Sequence, residues 1–121
     1  MGFELVSVDS GRSELRLAIR SHHLNVGGLV HGGVLATLLD SCIGLALRSM
    51  LGESRNHVTL QLDVHYVSPM REGTLIARGT AVRSGDRASY GEGELRSEDG
   101  RLVARGAATF LTFSEPTQDS D

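Results

Sequence analysis

The chain has 121 residues, 40% of them hydrophobic and 22% charged, a balance that belongs to folded globular proteins and excludes disordered and fibrous classes. A net charge of -3 supplies no basic field for a phosphate backbone, so nucleic acid is not expected as a partner. Every cationic side chain is Arg, and without Lys the chain can form neither a lysine Schiff base nor a P-loop.

In chain order, Phe3 to Val8 and Ser13 to Ile19 predict a first hairpin around Asp9-Ser10-Gly11. The stretch from Ser21 to Leu39 lacks Asp, Glu, Lys and Arg. It holds His22, His23, Asn25, His31 and four glycines, which excludes a membrane span, and no membrane partner is expected. After the loop NVGGLVHGG, residues Gly33 to Leu51 are apolar on nearly every side and predict a buried helix, with Gly52 as its stop. Its Cys42 is the single cysteine, which excludes an intrachain disulfide and every CxxC motif and suits a reducing cytoplasm. The N-terminus has no basic start followed by an apolar block, so no leader is expected.

Val58, Leu60, Leu62, Val64 and Tyr66 alternate with Thr59, Gln61, Asp63 and His65, the period of a half-buried strand that ends at Ser68-Pro69. Thr74 to Arg83, Arg87 to Arg96 and Leu102 to Phe113 follow as strands, separated by Ser84-Gly85-Asp86 and Glu98-Asp99-Gly100. The acidic tail SEPTQDSD, residues 114–121, is expected to fray. The plan is α+β: a hairpin, one long helix, then four strands in an antiparallel meander, all in a single domain of residues 1–121.

Asp40 is the anomaly. It is the only acid between Glu14 and Glu53 and sits mid-helix among leucines, where an ionised carboxylate is costly unless paired or placed at a site. Structurally, it would share a solvated stripe with Thr37 and Gly44 or pair with Arg48. Functionally, it would serve as a base or nucleophile. Gly32 and Gly33 bring unhindered N–H groups to the positive end of the helix dipole, a donor array suited to an oxyanion. Asn25 and His31 would either donate to the same carbonyl or cap the helix.

The run Asn25-Val-Gly-Gly-Leu-Val-His31-Gly32-Gly33, with Asp40 nine residues after the histidine, resembles the signature of PaaI-type hot-dog acyl-CoA thioesterases. Leu60 to Pro69 and Asp99 to Ala104 are similar to later segments of the same family. The resemblance implies a hot-dog fold, an antiparallel sheet wrapped around one central helix. It also implies an acyl-CoA substrate and no separate cofactor, since CoA is part of the substrate. Carried over, Asp40 is the catalytic carboxylate, Gly32 the backbone donor to the thioester carbonyl, and Asn25 a side chain that orients the carbonyl or the attacking water. Thr59 falls where relatives carry a supporting Ser or Thr, and His31 and Gly33 accompany the substrate. The turn Arg83-Ser84-Gly85-Asp86-Arg87 matches a segment used against the CoA nucleotide, with Arg83 and Arg87 as the cations; Asp86 departs from the basic residue that many relatives carry there.

Eight helical steps separate Gly32 from Asp40, about 12 Å at 1.5 Å per residue, too far for one chain to place both on one thioester. A composite site in a homodimer is therefore expected, alone or as a dimer of dimers. The competing functions are a non-catalytic acyl-CoA-binding module and a hot-dog hydratase or dehydratase. Metal chemistry lacks a ligand spacing such as HExxH, and a serine hydrolase lacks the GxSxG elbow.

Overall fold

The alternating segments build one antiparallel sheet in the computed structural model, which describes residues 2–115. The strands are β1 (Glu4–Asp9), β2 (Arg12–Ala18), β3 (Arg55–Tyr66), β4 (Thr74–Ser84), β5 (Ala88–Ser97) and β6 (Leu102–Ser114), and the long helix is α1 (Gly32–Arg48). The expected first hairpin closes through Ser10 at φ 51° and Gly11 at φ 81°, the double positive φ of a tight two-residue turn. Helix α1 lies across one face of the sheet, burying Leu35, Leu38, Leu39, Cys42, Ile43, Ala46 and Leu47 against Leu15, Leu17, Leu75, Ala77, Leu95, Ala104, Ala108 and Phe110. This is the α+β hot-dog arrangement.

A row of small residues lets the helix come this close. Ser13, Gly79, Gly93 and Gly106 are register partners on four successive strands. The Ser13 hydroxyl donates to the Cys42 carbonyl at 2.5 Å. A Cβ on Gly79 would stand 2.2 Å from that same carbonyl oxygen. Glycine inside a strand here marks close approach of another backbone.

Four expectations need correction. The strands after the helix are not one meander: the order is β1-β2-β4-β5-β6-β3, so β3 pairs with β6 and forms a sheet edge. The connection from β3 to β4 crosses the end of the sheet, held where Val67 and Ser68 donate to the Val103 carbonyl and Ile19 donates to the Gly73 carbonyl. Strand periodicity contains no information about partners, so the alternating pattern alone does not distinguish this order from a meander.

The apolar alternation of β3 also does not lie on one face. A bulge at Leu60 shifts the register between Thr59 and Gln61, so Leu62 and Val64 pack on the core while Val58 and Leu60 remain 47% and 61% exposed. The helix ends at Arg48 rather than Leu51. The Ser49 hydroxyl donates to the Ala46 carbonyl at 2.7 Å and accepts the Gly11 N–H at 2.7 Å, side-chain bonds that compete with further helix. Its outward residues Thr37, Asp40, Ser41, Leu45 and Arg48 are at least partly exposed, so the helix is buried on one side only. Finally, β6 runs through Ser114, and Glu115 is tied back by its N–H to Ser54 (2.7 Å) and by its carboxylate to Asn56 (2.6 Å). The rest of the expected tail, residues 116–121, lies outside the described residues.

Candidate active site

The outward side of α1 and the start of β3 enclose a cleft of about 390 Å³ lined by Phe3, Asp40, Ser41, Gly44, Leu45, Arg48, His57 and Thr59. Thr59 Oγ1 donates to Asp40 Oδ1 at 2.8 Å. That bond fixes the carboxylate and leaves Oδ2 without a hydrogen-bond partner among the described residues. The alternative pairing of Asp40 with Arg48 is not present: Arg48 Nη2 donates to the Gly52 carbonyl at 2.8 Å, capping the helix end.

Sequence reasoning missed His57. Its ring lies over Gly44, with Cε1 3.4 Å from where a Cβ would be, and meets Phe110 edge-on at 5.2 Å. Glycine in mid-helix was the one available signal. The buried Nδ1 has no hydrogen-bond partner among the described residues. Burial pushes the imidazole below its ordinary range, the Arg48 charge adds to this, and Asp40 opposes it. A neutral His57 in the fold against a freely protonating one in the unfolded chain makes stability fully present above pH 6.5 and lost as pH falls through the lower folded value. His57→Gln is expected to flatten the fall of Tm below pH 6.5; an unchanged slope would assign that acid sensitivity to other groups.

The second cleft, about 450 Å³, contains Asn25, Leu29, Val30, Gly32, Gly33, Leu35, Tyr66 and the segment Val67 to Met70. Asn25 Oδ1 accepts the N–H groups of Gly27 (2.9 Å) and Leu29 (3.1 Å), so its oxygen shapes the loop and its NH2 is the group left for a ligand. Neither Asn25 nor His31 caps the helix through its side chain; the His31 carbonyl takes the N–H groups of Val34 and Leu35. The N–H groups of Gly32 and Gly33 have no partner among the described residues and carry the positive end of the helix dipole. Tyr66, also missed in sequence, donates its hydroxyl to the Gly32 carbonyl at 3.1 Å, and its ring stands 3.3 Å from where a Gly32 Cβ would be.

The chain therefore brings Asp40 to Thr59 and groups Asn25 with Gly32 and Gly33, but keeps the two sets in separate clefts. A third cleft, about 610 Å³, is lined by Arg83, Gly85, Asp86, Arg87, Ala88, Ser89, Tyr90 and Thr109; Ser84 is not in its lining. The turn there is held by Gly85 N–H to Ser89 Oγ (3.1 Å), by Thr112 Oγ1 to the Gly85 carbonyl (2.8 Å), and by Arg55 donating to the Asp86 carbonyl.

Cys42 does not enter this chemistry, since burial in the core pushes its thiol up to about 12 and keeps it protonated. Asp63 and His65 point to the opposite face of β3, and among the described residues no group of three His, Cys, Asp or Glu side chains is placed to hold a metal ion. No helix is long and apolar enough to cross a membrane among those residues.

The class, thioester hydrolases, comes from the family to which the chain is matched, and the half-exposed carboxylate held by a hydroxyl and the free N–H groups at the start of the same helix are compatible with it. The chain belongs to the thioesterase superfamily, whose family model matches residues 27–104. It is 42% identical over 129 residues to a protein of Halobacterium salinarum named a candidate esterase, covering 95% of this chain and 85% of that one. It is 27% identical over 128 residues to a medium/long-chain acyl-CoA thioesterase of Salmonella typhimurium, covering 92% and 81%. Among solved structures, it superposes on a hypothetical thioesterase of Streptococcus pneumoniae with coenzyme A at a TM-score of 0.87 and 24% identity, covering 96% of this chain and 89% of that one.

Proposed function

We propose that the protein is a PaaI-like acyl-CoA thioesterase whose site is shared between two copies of the chain, with Asp40 and Thr59 from one and Gly32 and Asn25 from the other. The observation that carries this reading is the layout of β3. Thr59 is bonded to Asp40 and Tyr66 to Gly32, so one strand meets both halves of the site, one near its middle and one at its end. Among the described residues β3 pairs with β6 alone, and its other edge offers backbone groups unpaired by those residues beside exposed Val58 and Leu60. Two β3 strands paired antiparallel about a two-fold axis exchange their ends, bringing the partner's Gly32 towards Asp40. The homodimer is then the smallest active unit, and a tetramer would be two such dimers.

In this site the N–H groups of the partner's Gly32 and the partner's Gly33 hold the thioester oxygen, where developing negative charge meets the helix dipole. The NH2 of the partner's Asn25 orients the carbonyl. Asp40 Oδ2 either takes a proton from a water that attacks the carbonyl carbon or attacks that carbon itself; the C–S bond then breaks, the CoA thiolate takes up a proton, and in the second route a water cleaves the resulting Asp40 acyl anhydride to free the acid and restore the carboxylate. After a single turnover in isotopically labelled water, label in Asp40 marks direct attack followed by cleavage of the anhydride at the Asp40 carboxyl carbon. Arg83 and Arg87 face the CoA phosphates at the turn after β4, where Gly85 admits the close approach of the Ala88 carbonyl. Arg55 supports that turn. No further cofactor is required, and the cytoplasm is the compartment that the lone thiol of Cys42 suits.

Mixing inactive variants tests the sharing. Gly32→Pro removes the N–H at a helix position where Pro is tolerated. Refolded together in equal amounts, Asp40→Asn and Gly32→Pro chains should recover about a quarter of wild-type activity, since half the dimers are mixed and each holds one intact site. Activity that stays at the level of either variant alone would place the whole site in one chain. CoA-ester binding by folded wild-type dimer without any thiol release would instead favour the non-catalytic binding module.

A further inference from the structure

We infer that the substrate's acyl group carries a carboxylate at the end remote from the thioester, received by Arg48. This rests on the thioesterase reading and names its substrate class. From Asp40 the cleft continues along the C-terminal half of α1, past Ser41, Gly44 and Leu45 to Arg48, and Phe3 and His57 also line it. Gly44 keeps the helix surface low in the middle, and a side chain there would meet His57. Phe3, Leu45 and the His57 ring are walls for an acyl chain and not for a phosphorylated nucleotide, which fixes which part of the thioester lies along the helix. At about 390 Å³ the space accommodates an acyl group and little more.

The two ends of the cleft are chemically opposite. Asp40 is its one carboxylate and Arg48 its one guanidinium, eight residues apart and so about 12 Å along the axis. Arg48 is half-buried and has no carboxylate within ion-pair distance among the described residues. Its one hydrogen bond among the described residues, Nη2 to the Gly52 carbonyl, anchors the guanidinium and leaves most of its five N–H donors unused by those residues. An anchored, half-buried fork with no carboxylate partner among the described residues, at the other end of the cleft from Asp40, is a receptor for a planar anion, and a carboxylate fits it with two parallel hydrogen bonds. A neutral acyl end would cover that guanidinium without offering its charge a partner, which is the cost that produces selectivity. His57, kept neutral, does not compete as a second cation.

The test compares straight-chain acyl-CoAs with ω-carboxyacyl-CoAs matched in chain length, using wild type, Arg48→Met and Arg48→Lys. Wild type should favour the carboxylated member by about tenfold or more in kcat/KM, chiefly through KM, the size expected for a charge-assisted hydrogen bond. Arg48→Met should bring that ratio to about one, and Arg48→Lys should restore part of it. Wild type that prefers the neutral member at every length, or a ratio that Arg48→Met does not move, overturns the inference and leaves Arg48 as a helix cap, a role read separately in Tm. Should Arg48→Met not fold, the wild-type ratio decides alone. If no thioester of either series turns over, the thioesterase reading fails, and the same ratio measured as Kd for intact wild-type protein still decides whether Arg48 selects carboxylates.

Discussion

Asp40→Asn should lower kcat by about 10²-fold or more while leaving the affinity for acyl-CoA within a few-fold, because general-base groups contribute about 10²–10⁴ to turnover. Asn keeps the shape and can still accept from Thr59 Oγ1, so the loss isolates the charge and basicity of Oδ2. Thr59→Val should cost less, about tenfold, since it removes one hydrogen bond that orients the carboxylate but not the carboxylate itself. Release of free CoA, followed with a thiol reagent over short-chain, medium-chain and aryl thioesters, gives both numbers. An Asp40→Asn enzyme that keeps more than about a tenth of wild-type turnover would remove Asp40 from the chemistry, and a Thr59 effect as large as the Asp40 effect would make the hydroxyl a direct participant.

What the sequence discloses about this site follows from what is local in it. Asp40 stands out because a carboxylate among leucines violates the pattern of its own helix, and Gly32-Gly33 stands out because the helix begins there. Both signals lie within one continuous segment, and the nine-residue spacing from His31 that matches a known family lies in the same segment. The pairing of Asp40 with Thr59 depends instead on how β3 meets the helix. The bulge at Leu60 decides it by placing Thr59 on the helix side together with Leu62 and Val64. A period-2 reading puts Thr59 on the face opposite Leu62, so only the resemblance connected it to the carboxylate. The same limit hid the edge position of β3, His57 and the role of Arg48, whose meaning arises when α1, β3 and Phe3 converge.

Gly79→Ala should be among the most destabilising single-methyl additions in the chain, by about 3 kcal/mol or more, the upper part of the range for overpacking. The added Cβ would stand 2.2 Å from the Cys42 carbonyl oxygen, 2.4 Å from its carbon and 2.8 Å from the Ile43 nitrogen. All three belong to the helix backbone, so no rotamer change relieves the contact. Either α1 lifts from the sheet, surrendering the packing of Leu38, Leu39, Ile43 and Leu47, or β4 buckles between its partners β2 and β5. A loss of that size is a large share of the roughly 5–15 kcal/mol that holds a domain together, and Tm should fall by about 10 °C or more. Gly52→Ala is the matched control: no atom lies within 4 Å of its added Cβ, and it should melt near wild type. The consequence reaches the site, because the depth at which α1 sits on Gly79 sets how far Asp40 stands from Thr59. Residual folded Gly79→Ala protein should therefore hydrolyse thioesters more slowly than its folded fraction accounts for. A Gly79→Ala protein that melts and turns over like wild type would mean that the helix does not rest on this strand.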